Sequence, residues 1–139
     1  MINETLTRRA FLRILTVLSA SALLPPTADA EAAPRTFIPV GKAGAFALHA
    51  VTPVTLPGGK PIFVQRIAAG NTPAAFHALS ALCTHKGCPV VWNAGAKQFQ
   101  CPCHGGRFDV SGRNIAGPPP SPLPRLPVKV VKGIVLVAA

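Results

Sequence analysis

The sequence predicts an all-β domain of antiparallel strands. Three observations carry that expectation. Proline (16) and glycine (12) together make about a fifth of the 139 residues, and they punctuate short runs rich in β-branched residues. After residue 30 no long apolar stretch follows a 3.6-residue period. Nothing repeats at a fixed interval, and the length suits one domain with one modest core.

The elements follow in order. "TFIPV" (36–40) reads as a short strand. "AVTPVTLPGGKPIFVQRI" (50–67) reads as a hairpin, two β-rich runs about a Pro-Gly-Gly turn at 57–59. "AAFHALSAL" (74–82) is a third run, leading directly into Cys83. "VVWNAGAKQFQC" (90–101) is a second hairpin with its turn near residues 93–96. "RFDVSGR" (107–113) holds a strand end and a tight turn, with Asp109 as turn former. "LPVKVVKGIVLVA" (126–138) alternates and turns at Lys132-Gly133. Trp92 is expected in the core, and His49 and His77 are expected to be structural or surface residues.

The first thirty residues read as an address. Arg8, Arg9 and Arg13 form a basic region, residues 14–24 are apolar, and Ala28-Asp29-Ala30 offers an A-x-A cleavage site. "TRRAFL" (7–12) resembles the twin-arginine export motif. Eleven apolar residues reach about 16 Å as a helix, against about 30 Å of hydrocarbon core. Cleavage near Ala30 is therefore the expected fate, and retention as an anchor is the alternative. The division is a signal over residues 1–30 and a functional domain over 31–139. The destination is the periplasm or the outer face of the cytoplasmic membrane, where disulfides persist.

The chain carries a net charge of +10. From Glu31 onward, eleven basic and two acidic residues leave about +9. Such a surface favours anionic partners, an acidic redox protein or an anionic membrane face. Nucleic acid is not expected, because no basic stripe is interleaved with aromatic residues.

All four cysteines lie in two short segments, "CTHKGC" (83–88) and "CPCHGG" (101–106), each with a histidine. The best ligand candidates are Cys83-x-His85 and, fifteen residues later, Cys101-x-x-His104. Two loops would each present one thiolate and one imidazole. A single tetrahedral zinc satisfies this set. So does a two-iron, two-sulfide cluster with both thiolates on one iron and both imidazoles on the other. Cys88 and Cys103 are needed by neither.

"CTHKGC" and "CPCHGG" resemble the two cluster-binding loops of Rieske iron–sulfur proteins. "GPPP", Gly117, Pro118, Pro119 and Pro120, resembles the proline loop that covers the cluster in that family. The resemblance spans about residues 36–138. It implies a β-sandwich with a small cluster-binding subdomain made by the two loops and the proline loop. It implies a [2Fe-2S] cofactor, with Cys83 and Cys101 on the inner iron and His85 and His104 on the outer one. It also implies a Cys88–Cys103 disulfide clasping the loops. Histidine in place of thiolate removes negative charge and raises the potential relative to all-cysteine clusters.

Three positions depart from the pattern of quinol-oxidising members. Lys86 stands where those usually carry a hydrophobic residue, which points to docking of an acidic partner rather than to a cytochrome b surface. Gly106 and Phe108 stand where high-potential members place serine and tyrosine hydroxyls near the cluster sulfurs. Without those donors the potential is expected below that of ubiquinol-oxidising members.

The resemblance implies an electron-transfer subunit of an oxidoreductase rather than a complete enzyme. One reading is an exported carrier or small subunit of a periplasmic oxidase, as in the arsenite oxidase family, working with a cytochrome or an oxidase catalytic subunit. The alternatives are the iron–sulfur subunit of a membrane-associated cytochrome bc-type complex, with quinol as donor, and the ferredoxin component of an oxygenase. The clasp cysteines and the arginine pair argue against the last.

Overall fold

The computed structural model describes residues 35–139; the export signal expected over residues 1–30 lies outside them. Eleven strands form three antiparallel sheets. The first contains β1 (Phe37–Lys42), β11 (Ile134–Ala138) and β10 (Val128–Val131), in that order. The second runs β2 (Val51–Leu56), β3 (Lys60–Arg66), β4 (Phe76–Ser80) and β9 (Arg125–Leu126). The third runs β5 (Val91–Asn93), β6 (Gln98–Gln100), β7 (Arg107–Asp109) and β8 (Asn114–Ala116). Each hairpin expected from the sequence is present, with its turn where the Gly and Asn residues fall. The differences are small elements: β8, the two-residue β9, and short 3-10 turns at Ala43–Ala45 and Pro73–Ala75. None of these is long enough to show a period.

The second sheet separates two cores, because its strands β3 and β4 are buried on both faces. Alternate residues of a strand point to opposite sides. Ile62 and Val64 of β3 and Ala78 of β4 face the first sheet, packing with Phe46, Leu56, Phe76, Val135 and Val137. Phe63 of β3 and Leu79 of β4 face the other way, into a second core with Val90, Phe99, Phe108 and Leu123. Residues 62–65 are consequently buried without interruption, although Gln65 is polar. Its Nε2 donates to the Val110 carbonyl at 2.9 Å, which satisfies the amide and ties the second sheet to the β7–β8 turn.

The third sheet and its loops are an insertion between β4 and β9. Phe99 and Phe108, paired across β6 and β7, are fully buried beneath it. Phe63 packs on Phe99 at 4.8 Å between ring centroids, tilted by 34°, and Trp92 also packs on Phe99 at 4.8 Å, tilted by 54°. Trp92 is half-buried at the edge of this core rather than inside it. Truncating a ring such as Phe99 to alanine would cost about 3–5 kcal/mol. Cys83 and Cys101 belong to the same core, so the loop sulfurs rest directly on aromatic packing.

Candidate metal centre

Two loops leave this second core and turn back in the same way. The N–H of Cys83 donates to the Cys88 carbonyl at 2.8 Å, and the Gly87 N–H donates to the Cys83 carbonyl at 2.8 Å. The N–H of Cys101 donates to the Gly106 carbonyl at 2.8 Å, and the Gly105 N–H to the Cys101 carbonyl at 3.1 Å. Gly87 and Gly105 both have φ of +72°, a conformation that favours glycine. The two cysteines thus start equivalent loops, and both thiols are free and buried.

The loops face each other. Cys88 and Cys103 are joined in a disulfide with Cα atoms 6.5 Å apart. The sulfurs of Cys88, Cys101 and Cys103 all lie within 4.8 Å of one another. Two of those three are consumed by the disulfide and have no thiolate to offer, so Cys101 is the ligand candidate among them. The rings of His85 and His104 meet edge to face, 4.7 Å between centroids at 87°. His85 is half-buried and His104 is exposed, so the imidazole pair lies between the thiols and solvent.

The donor set fits a metal cofactor. The Nδ1 of His85 is buried and has no hydrogen-bond partner. Such an atom costs about 1–3 kcal/mol unless something binds it. Burial pushes the Cys83 thiol above its ordinary value; the His85 and Lys86 N–H groups directed at its sulfur oppose this, and the neighbouring Cys101 sulfur reinforces it. Two adjacent buried thiolates therefore need a compensating cation, and a coordinated metal deprotonates a thiol outright. Those two N–H groups would then stabilise charge on the sulfur.

Lys86 is exposed at the tip of the first loop, one residue beyond His85. The proline loop lies against the second loop. Pro119 is buried, while Gly117, Pro118 and Pro120 are exposed. Two anchoring residues, Asn114 and Thr84, escaped the sequence reading, and the packing role of Gly117 within the proline loop was not read either. The side-chain amide of Asn114 donates to the Pro119 carbonyl. The Thr84 hydroxyl donates to the Ser121 carbonyl at 2.7 Å. Gly117 packs on Gly106, where an added Cβ would stand 2.8 Å from the Gly106 Cα. The partner of Thr84 lies 37 residues away, and that of Asn114 is five residues on across a loop of no regular period, so local pattern held no signal for either. Phe108 carries no hydroxyl and is wholly buried in the core that holds both thiols. His77 is half-buried in β4 and His49 is exposed, and neither belongs to the two cluster loops.

Comparison with known proteins agrees with this geometry. Residues 37–127 match the family model of the Rieske [2Fe-2S] domain. Among curated relatives, the chain is 39% identical over 80 residues to the cytochrome b6-f complex iron-sulfur subunit of Synechococcus sp. (strain WH7803), covering 58% of this chain and 44% of that protein. It is also 45% identical over 71 residues to the carotenoid phi-ring synthase of Chlorobaculum tepidum, covering 51% of this chain and 10% of that protein. The chain thus spans less than half the length of these relatives. Among solved structures, the plasma membrane Rieske protein of Synechocystis PCC 6803 aligns with a TM-score of 0.56 at 28% identity, covering 73% of this chain and 99% of that one. A chain of a hyperthermophilic respiratory Complex III aligns with a TM-score of 0.52 at 31% identity, covering 91% and 87%. The chain belongs to the Rieske [2Fe-2S] family, and its cofactor is that family's [2Fe-2S] cluster.

Proposed function

We propose that the chain relays single electrons between protein partners, with Cys83 and Cys101 holding one iron and His85 and His104 the other. The observation that carries the ligand assignment is the buried, unpartnered Nδ1 of His85, whose ring meets that of His104, in loops that begin with two buried free thiols. When bound, the cluster accepts and releases one electron at a potential set by its ligands, charge and hydrogen bonds. The two thiols rest in the aromatic core, so water is excluded from that side. The exposed His104 ring is the natural exit for the electron. With the buried Nδ1 of His85 committed to the cofactor, its Nε2 is the ring nitrogen left for other contacts.

Residues 31–139 are the working domain, and residues 1–30 export it by the twin-arginine route to the periplasm or the outer face of the membrane. A cofactor inserted before export and a disulfide formed after it are compatible with that order. The partner is an acidic redox protein. In support, Asp109 is the one acidic residue against eleven lysines and arginines over residues 35–139. Lys86 and Arg107 are both exposed on the cluster loops or beside them. The similarity to a cytochrome b6-f iron-sulfur subunit favours a second reading, a subunit of a quinol-oxidising complex.

The test is redox titration of the purified protein, followed by EPR and visible circular dichroism across pH. A Rieske-type signal at low or intermediate midpoint supports the carrier. A high midpoint that falls with rising pH favours quinol oxidation. Absence of any such signal in fully metallated protein, with zinc present instead, defeats the cluster ligation.

A further inference from the structure

A cleft of about 470 Å³ lies between the β7–β8 turn and the segment that leads into β9. Ser111 and Arg113 line one side, and Ser121, Leu123 and Arg125 line the other. Both walls are fixed. The Gln65 amide holds the Val110 carbonyl, and Oδ1 of Asp109 accepts from the Ser111 hydroxyl, the Ser111 N–H and the Arg113 N–H. The buried Leu123 donates its N–H to the Gly112 carbonyl at 2.8 Å, and the Ser80 N–H donates to the Pro124 carbonyl at 2.9 Å. Thr84 holds the Ser121 carbonyl at 2.7 Å. The cationic tips are left over. Arg113 and Arg125 are both exposed. Arg113 meets Asp109 through its backbone N–H, and its charge is the least of the influences on that carboxyl, so its guanidinium is not held there. The charge of Arg125 acts on His77, which is kept neutral and offers no counter-charge.

We propose that this cleft binds a phosphate monoester group, held between the guanidiniums of Arg113 and Arg125, with the Ser121 hydroxyl as a third donor. A guanidinium presents parallel N–H donors that match the oxygens of a phosphate or a carboxylate. Asp109 offsets part of the positive charge, so hydrogen-bond geometry has to carry the selectivity. A carboxylate places its two oxygens in one plane, which suits a single fork. The three terminal oxygens of a monoester are spread tetrahedrally and can meet two forks and a hydroxyl together. Ser111 adds no donor, because its hydroxyl proton is committed to Asp109. Walls already pinned by hydrogen bonds lose little freedom when the ligand arrives. What the two cluster loops hold does not enter this site.

The test uses the cluster-loaded full chain in phosphate-free buffer. The soluble probe is glycerol 3-phosphate, and the membrane probe is phosphatidylcholine vesicles with and without phosphatidic acid. Calorimetry and vesicle cosedimentation measure binding at constant ionic strength, and amide hydrogen exchange locates it. Bound probe should slow exchange over residues 110–114 and 121–126. Arg113→Gln and Arg125→Gln should each weaken binding about tenfold or more. Lys60→Gln, which removes an exposed cation outside the cleft, should change it by roughly twofold or less. Arg113→Lys/Arg125→Lys keeps the charge but loses both forks, and should also weaken binding. Acetate should not displace the probe. Saturable binding of glycerol 3-phosphate with this variant pattern supports a free phosphate ester as ligand. Binding of phosphatidic acid vesicles alone, with the same pattern, supports a lipid headgroup. No saturable binding of either probe overturns the proposal, as does a loss in Lys60→Gln equal to that in the arginine variants. A double-lysine variant that binds like the wild type, or acetate that competes as well as the ester, also overturns it. If Arg125→Gln does not fold, Arg113→Gln decides, since Arg113 lies in a turn and in no strand.

Discussion

Cys83 and Cys101 begin loops closed by the same pair of backbone hydrogen bonds, so the two thiols approach the site from equivalent positions. The equivalence stops at the side chains. The third and fourth loop positions are His85 and Lys86 in one loop, but Cys103 and His104 in the other. One loop therefore offers its imidazole a residue earlier than its partner does. The spare fourth position of the first loop becomes an exposed lysine, and the sixth becomes the clasp cysteine.

That clasp is the first point to test. Replacing Cys88 and Cys103 with alanine removes a link across a 15-residue separation, with an expected loss of about 3 kcal/mol. Chemical denaturation of the cluster-loaded protein, followed by its visible spectrum, should show the midpoint fall accordingly. An unchanged denaturation midpoint would mean that the aromatic core alone holds the loops together.

Phe108 offers a test of the missing hydroxyl. It is fully buried within the same core as both thiols. A hydrogen bond from Phe108→Tyr to a cluster sulfur, made stronger on reduction by about 1.5 kcal/mol, would raise the midpoint by roughly 60 mV. Redox titration measures this directly. A lower midpoint, or none that changes, would show that the hydroxyl finds another partner.

Acidification should destabilise the fold in two stages. Burial lowers the pKa of His77, and the Arg125 guanidinium lowers it further, so the folded state holds His77 neutral. The unfolded chain then binds more protons as pH falls through about 6.5, and stability declines there. For Asp109, burial alone would raise the pKa. The Ser111 hydroxyl and N–H, the Arg113 N–H and the Arg113 charge outweigh it and hold the carboxyl below its usual range. Its contribution is present above about pH 3.9 and is lost as pH falls through the lower folded value. Denaturation of His77→Gln should remove the upper stage, and Asp109→Asn the lower one. If both variants titrate like the wild type, these groups do not govern the acid limb.

Charge at the loop tip should control encounter. Reversing Lys86 to glutamate should slow electron transfer to an acidic redox protein several-fold at low salt. The difference should shrink as the Debye length falls from ~30 Å at 0.01 M to ~8 Å at 0.15 M. Stopped-flow oxidation at the two ionic strengths gives the comparison. A rate indifferent to both the substitution and salt would place the docking surface elsewhere.

Much of the site was legible because it is local. Cys83, His85, Cys101 and His104 fall within two six-residue segments, and the turn residues between the hairpins stand next to the strands they connect. Asp109 is similar, since its carboxylate bonds Ser111 and Arg113 within the same turn. Strand β9, by contrast, is two residues long and exists because β4 has an open edge for Leu126 and Arg125 to pair with. No period survives in two residues.

By itself the sequence determined the grouping of the cysteines and histidines into two loops, the antiparallel strands and the charge of the surface. Each depends on neighbours a few positions apart. Only the tertiary structure decided that β3 and β4 are buried on both faces, that His85 buries an unpartnered nitrogen, and that Pro119 stands where a side chain at Gly106 would be. Those depend on which distant segments share a volume, and a linear pattern does not carry excluded volume.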